Sequence, residues 1–251
     1  MLKRAFNPAK KMFRKRYLNN SCHPLLADKK RHEFLVSRDQ PLRDCPFTVL
    51  DTELTGLNPR TDEIVSIGAV RIRSLAIEPE DVFYAEVKPE NLPKDCTLIH
   101  GISPEQVKWA PKLEEVLPEL VGFVGTDYLV GHNIGMDMDF LNRACKKYMG
   151  AKLKNPCIDT LRLARIYSEQ QWRNYYERFN LKLSLQLNDL AQKYGLPSFA
   201  WHNAFQDAMQ TAYLFLFLIG KISNGQVRTL KDLYSAEKRF SVVMFTPFGF
   251  A

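Results

Sequence analysis

The sequence predicts an α/β fold, a mixed β-sheet flanked by helices. Three observations carry that prediction. From Phe47, three β-rich runs follow one another across short connections. From Ile102 onward, helix-like and strand-like segments alternate. With 251 residues and 45% hydrophobic content, the chain can bury a full core, one domain with extensions.

The first 27 residues contain no acid. Leu2, Phe6, Ala9, Phe13 and Tyr17 recur at steps of three or four, the pattern of one helix face, and Lys10, Lys11, Arg14, Lys15 and Arg16 crowd around them. A basic amphipathic helix suits an anionic membrane surface, nucleic acid, a protein partner or an organelle-targeting peptide, and it also suits plain packing on its own domain. Residues 19–46 read as a loop-rich connector broken by Asn19-Asn20, Pro24, Pro41 and Pro46.

Phe47-Thr-Val-Leu-Asp51 is the first β-rich run and Glu63 to Ile72 the second, with a turn at Gly56-Leu-Asn-Pro59 between them. Phe83 to Val87 is the third, ending before Pro89, and the three suggest an antiparallel meander. Ser103 and Pro104 mark a helix start as N-cap and first helical position. Leu113–Val124 reads as a helix, Tyr128–His132 as a strand, Met136–Tyr148 as a helix and Pro156–Asp159 as a short strand. Helices follow over Leu161–Tyr167, about Ser184–Tyr194 and Asn203–Ile219. Leu230–Phe240 has the pattern of a helix, Val242–Phe245 that of a strand, and the apolar end Thr246–Ala251 is suited to packing.

Composition narrows the function classes. No apolar run approaches the roughly 18 residues of a membrane span. The five cysteines, Cys22, Cys45, Cys96, Cys145 and Cys157, form no CxxC, which argues against a zinc site or a disulfide framework and for reduced thiols in a cytoplasmic protein. The formal charge of +7 is uneven: residues 1–46 hold 12 Lys/Arg against 4 Asp/Glu, and the rest hold 23 against 24. The basic character belongs to the arm.

The chemistry lies in three distant segments. Asp51 and Glu53 are two apart on a predicted strand, so they share a face. Two such carboxylates raise each other's pKa unless cations neutralise them. Asp137 lies in Val130-Gly-His-Asn-Ile-Gly-Met-Asp-Met-Asp-Phe-Leu141, and His202 and Asp207 in Trp201-His-Asn-Ala-Phe-Gln-Asp-Ala208. Four carboxylates and a histidine suit two divalent cations with a base beside them, a site that breaks phosphodiester bonds. Five residues apart, His202 and Asp207 fit one site if His202 precedes the helix that carries Asp207. Asp139 faces away from Asp137 on its helix, and Asp159 reads as the cap of the helix it opens. His132 and Asn133 end a strand near the site; contact with substrate and support of the Asp137 loop are both open to them.

With these motifs in order, the sequence resembles the DEDDh (DnaQ-like) exonucleases, over about residues 47–220. Asp51-Thr-Glu53-Leu-Thr55-Gly56-Leu57, His132 to Asp137 and His202 to Asp207 carry the resemblance. Secondary marks agree: Ile99-His-Gly101-Ile102, Ile158-Asp-Thr160-Leu161 and Leu190-Ala-Gln-Lys-Tyr-Gly195-Leu196. The first motif is nearer to the group of the proofreading ε subunit of bacterial DNA polymerase III than to oligoribonuclease. Leu54, Met136 and Ile134-Gly135 depart from common family residues, which bears on pocket shape and leaves the ligand set intact.

The resemblance implies a ribonuclease H-like fold in three parts: a basic arm and connector (1–46), a DEDDh exonuclease domain (47–220) and a C-terminal extension (221–251). It implies a 3′→5′ exonuclease releasing nucleoside 5′-monophosphates from single-stranded 3′ ends, with DNA preferred to RNA. Asp51 would bridge two Mg²⁺ or Mn²⁺ ions, the cations that oxygen-only ligands favour. Glu53 and Asp207 would complete the ion that activates water, Asp137 would support the second, and His202 would be the general base. Thr52, Leu54, Thr55, Gly56 and Leu57 match the segment that contacts the terminal nucleotide, and His132 and Asn133 join them as candidate contacts. Leu57 occupies the place of a leucine wedged between the last two bases. A DNA polymerase is an implied partner. The rival functions are an RNA-trimming exoribonuclease of the same family and a non-catalytic nucleic-acid-binding scaffold.

Overall fold

Five strands form one sheet in the computed structural model: β1 (Phe47–Leu54), β2 (Ile64–Arg73), β3 (Ala76–Glu86), β4 (Tyr128–Gly131) and β5 (Cys157–Asp159). Their spatial order is β3-β2-β1-β4-β5. The structure describes residues 22–27, 39–92, 101–171, 184–199 and 203–243. The amphipathic pattern of residues 2–17 therefore lies outside the described residues, as do Cys96, His100, His202 and residues 244–251.

The antiparallel meander forms as expected, and β1 then pairs in parallel with β4, and β4 with β5. The sheet is mixed because only the first three strands are joined by short connections. The third strand begins earlier than expected, at Ala76. Its first residues pair with β2 up to Arg71↔Glu78, and pairing resumes at Val70↔Val82, so Pro79 falls in a bulge of an edge strand where no N–H is needed. A two-residue turn, Ser74-Leu75, joins β2 to β3 with both residues at positive φ.

Helices are α1 (Pro24–Ala27), α2 (Pro104–Val107), α3 (Leu113–Val124), α4 (Gly135–Met149), α5 (Thr160–Gln171), α6 (Leu187–Lys193), α7 (Ala204–Lys221) and α8 (Leu230–Val243). Ser103 caps α2 as expected, in a reciprocal pair with Gln106. Val242 and Val243 continue α8, contrary to the strand expected there. Leu230, Leu233 and Ala236 of α8 are buried at steps of three, and a helix already seated on the core propagates through β-branched residues at small cost.

Strand alternation divides the core into two layers. Phe47, Val49, Val70 and Ile72 face α5, α7 and α8, through residues such as Leu163, Phe215 and Leu233. Leu50, Ile67, Ala69 and Leu129 face α3 and α4, through Leu117, Leu120, Phe140 and Leu141. No helix among the described residues is long and apolar enough to cross a membrane. Cys22, Cys45, Cys145 and Cys157 are free thiols.

Parts of the predicted connector and extension pack on this core. Leu42 and Cys45 are 1% exposed and join the α7 layer, as do Ile222, Val227 and Leu230. Pro41 bridges Thr229, and Leu42 N–H donates to Arg228 O at 2.8 Å. Leu26 of α1 is buried in the other layer, and His23 N–H bonds Met149 O at 2.8 Å. Leu42→Ala should therefore destabilise the protein by about 2–5 kcal/mol in urea denaturation, the range for a buried leucine. A cost below about 1 kcal/mol would show that the 39–46 segment is not part of the core.

Candidate active site

β1 supplies the first two acids. Asp51 and Glu53 project from the face that carries Phe47 and Val49, at the point where the apolar run of that strand ends. Asp51 lies opposite Gly68 and Glu53 opposite Ser66 on β2. The third acid, Asp207, lies in the first turn of α7. Gly68 makes that possible: a Cβ there would sit 2.3 Å from the backbone of Ala204 and Phe205. A glycine inside an otherwise apolar strand marks close backbone approach, here of the α7 N-terminus. Asn203 caps α7, accepting from Phe205 and Gln206 N–H at 3.1 and 3.3 Å. The helix thus begins just after position 202, as the spacing of the third motif required; His202 itself lies outside the described residues.

Asp137 enters from the first turn of α4. Gly131 ends β4 so tightly that a Cβ there would approach Ile134 to 2.9 Å, and Asn133 turns the chain at φ +62°. Asp159 accepts from the N–H of Asn133 and of Leu161, both at 2.9 Å, so it caps α5 as expected and also holds this turn. Thr52 Oγ1 then donates to Asp137 Oδ1 at 2.6 Å, pinning the acid beneath the strand. His132 has both ring nitrogens engaged, by Thr160 Oγ1 at 2.9 Å and Leu185 O at 2.7 Å. Its visible work is to brace the α4 turn. The Asn133 side chain is exposed.

The structure brings oxygen atoms of Asp51, Glu53 and Asp207 within 4.8 Å of one another. Asp137 stands beside that group on its Thr52 bond. Glu53 and Asp137 are 9% and 7% exposed, and among the described residues neither they nor Asp51 make an ion pair. Burial is the largest effect on all three. It pushes Glu53 up to about 7, with Asp207 and Asp137 adding repulsion. It pushes Asp137 to about 7 against the opposing bond from Thr52. Asp51 is raised well above the carboxylate range by burial and then by Asp137, Asp207 and Glu53. A crowded, largely buried donor set of carboxylate oxygens fits hard divalent cations.

The loop after β1 holds the expected substrate segment. Thr55 closes it, donating N–H to Glu63 O and accepting from Glu63 N–H, both at 2.8 Å. Gly56 leaves room for Asp62, whose carboxylate a Cβ would meet at 2.4 Å; Asp62 in turn accepts from Asn58 N–H at 2.8 Å. Leu54 is partly buried against the α3–α4 layer. Leu57, at the tip, is 76% exposed, an apolar side chain fixed in solvent by a tightly bonded loop. Sequence reasoning missed Gly68, for which a strand-interior glycine was the available signal, and Tyr84 opposite it on β3. Tyr84 hydroxyl bonds Glu86 at 3.2 Å and the Asn203 side chain, and its pKa is pushed to about 12 by burial first and Glu86 second. No residue pattern pointed to it.

Comparison with known proteins agrees with this geometry. Residues 48–215 match the RNase_T family model, described as exonuclease. A PolC-type DNA polymerase III of Thermotoga maritima is 34% identical over 233 residues, covering 92% of this chain and 16% of the relative. The DNA polymerase III subunit epsilon of Aquifex aeolicus is 32% identical over 189 residues, covering 75% of this chain and 87% of the relative. The chain thus spans a small part of the PolC-type relatives and most of the epsilon one. Among solved structures, E. coli exonuclease I in complex with a dA16 oligonucleotide aligns with TM-score 0.61 at 19% identity, over 72% of this chain and 42% of that one. Exonuclease X in complex with 5′ overhanging duplex DNA aligns with TM-score 0.54 at 21% identity, over 76% and 99%. These likenesses carry the fold.

The electrostatics give a sign. Carboxyls of the unfolded chain titrate near about 4. In the folded protein Glu53 and Asp137 titrate near 7, so the native state binds more protons between these limits. The contribution of these two groups to stability is then complete below about pH 4 and is lost as pH rises through 7. The melting temperature in EDTA should drop between pH 5 and pH 8, and Mg²⁺ or Mn²⁺ should restore it at pH 8. An EDTA melting temperature that rises over that range would contradict the electrostatic account.

Proposed function

The chain belongs to the DnaQ-like exonuclease family, and from that premise we propose that it is a metal-dependent 3′→5′ exonuclease acting on single-stranded DNA ends. The observation that carries the proposal is the convergence of Asp51, Glu53 and Asp207 within 4.8 Å, with Asp137 fastened beside them. Asp51, Glu53 and Asp207 would hold one Mg²⁺ or Mn²⁺, and Asp51 with Asp137 a second. Such ions, when bound, favour hydroxide over water and stabilise the leaving 3′-oxygen.

The chain's own groups supply the rest. His202 would take the proton of the attacking water, for which a neutral imidazole is suited near pH 7. Attack on the terminal phosphodiester then releases a nucleoside 5′-monophosphate and leaves a shortened 3′-hydroxyl end. Leu57 would slide between the last two bases, a contact that tolerates any sequence. The exposed Asn133 side chain is free to meet the strand, while Thr52 and His132 would act by holding Asp137 and its turn. The names of the relatives favour DNA over RNA and a polymerase as partner.

The test compares end-labelled single-stranded DNA and RNA of equal length, and a closed DNA circle, with Mg²⁺, Mn²⁺ or EDTA. Mononucleotides should appear from the linear DNA with either ion and vanish in EDTA, while the circle stays intact. Asp51→Ala should lose orders of magnitude in rate. His202→Ala should lose about 10²–10⁴ as a general base does, with metal affinity retained. Cleavage of the circle, or full activity in EDTA, would sink the proposal; faster loss of RNA would reassign the substrate.

A further inference from the structure

Residues 47–251 hold 23 Lys/Arg against 24 Asp/Glu, yet the cations among them are not scattered. Arg143, Lys146 and Lys147 lie three and four apart on α4, which places them on one face of the helix. All are exposed, opposite the buried face of Phe140, Leu141, Ala144 and Cys145. Lys152, just past the left-handed C-cap Gly150, lines the same cleft, and Asp139 is the one acid there. Among the described residues none of these four cations makes an ion pair.

Arg143 and Lys147 also line a second hollow with Thr55, Asp62, Glu63 and Glu90, beside the loop that presents Leu57. Arg143 donates to the carbonyls of Pro59 and Asp62, tying α4 to that loop without neutralising its charge. The same helix carries Asp137 in its first turn, and Lys147 lies ten residues on, about 15 Å along the axis. A few nucleotides of extended strand cover that length.

We propose that this basic face of α4 is a phosphate-binding ridge that holds the substrate strand upstream of its 3′ terminus. The inference rests on the exonuclease reading and extends it from the terminal nucleotide to the backbone behind it. A row of cations without an ion pair among the described residues, Lys147 lying over the Tyr148 ring at 4.7 Å, suits a linear phosphodiester beside the Leu57 loop. It also gives the nearly neutral body a grip on nucleic acid that does not depend on residues 1–21.

The experiment measures binding of a dye-labelled 12-nucleotide oligo-dT and of a trinucleotide to the full chain in EDTA, by anisotropy across a salt series. The variant is K146E/K147E/K152E, with K146A/K147A/K152A as the milder form. Arg143 is kept because of its bonds to the loop. Loss of three phosphate contacts should weaken 12-mer binding at low salt at least tenfold and lower the salt slope by about 2. The alanine form should fall between, and the trinucleotide, too short to reach the ridge, should bind as before. Unchanged 12-mer affinity and slope, or equal weakening for both lengths, would overturn the proposal. The exonuclease reading fails separately, if the parent protein releases no mononucleotides in Mg²⁺ whatever the variants bind.

Discussion

Repulsion among like charges is the constraint on which this molecule turns. Four carboxylates meet at the end of one strand, partly or wholly removed from water, and the fold offers three of them no cationic side chain among the described residues. A buried carboxylate elsewhere in the same sheet shows the alternative. Asp127, 6% exposed, accepts from Thr48 Oγ1 at 2.6 Å and pairs with Arg73 at 2.7 Å. One end of β1 is charge-satisfied, while at the other Asp51, Glu53 and Asp137 make no ion pair among the described residues, which costs stability unless a counter-ion arrives.

Three local devices enforce the crowding. Strand periodicity aims Asp51 and Glu53 to one side. The bare backbone of Gly68 admits the start of α7 and so Asp207. The tight turn after Gly131, held by Asp159 and braced through His132, delivers Asp137 to Thr52. Each device sits on a rigid element packed by one of the two apolar layers, so the acids cannot relax apart without disturbing the core. The substrate loop uses the same economy of contacts. Thr55 and Asp62 close it, and Arg143 fastens it to the helix that carries Asp137.

Much of this was legible in the sequence because it rests on local pattern. The helix Leu113–Val124, the Ser103 cap and the shared face of Asp51 and Glu53 follow from spacing and capping chemistry, and the three acid-bearing motifs are joined by their resemblance to the DnaQ-like exonucleases. What escaped rests on tertiary contact. Ser74-Leu75 carries no turn signature, so the place of the β2–β3 turn and the early start of β3 were invisible. Nothing in the neighbours of Thr52 reveals Asp137, distant in sequence, as its hydroxyl's partner. Leu42 and Cys45 read as connector because their burial depends on α8, nearly two hundred residues away. Val242 and Val243 looked extended by propensity and were overruled by a helix already seated on the core.

The most direct test of the central claim is Mn²⁺ titration followed by electron paramagnetic resonance at pH 8. If the carboxylates are gathered to hold cations, the parent chain should bind two ions saturably, and Asp51→Asn should lose most of that affinity while keeping its circular dichroism spectrum. Absence of saturable binding in the parent, or binding that survives Asp51→Asn unchanged, would contradict it.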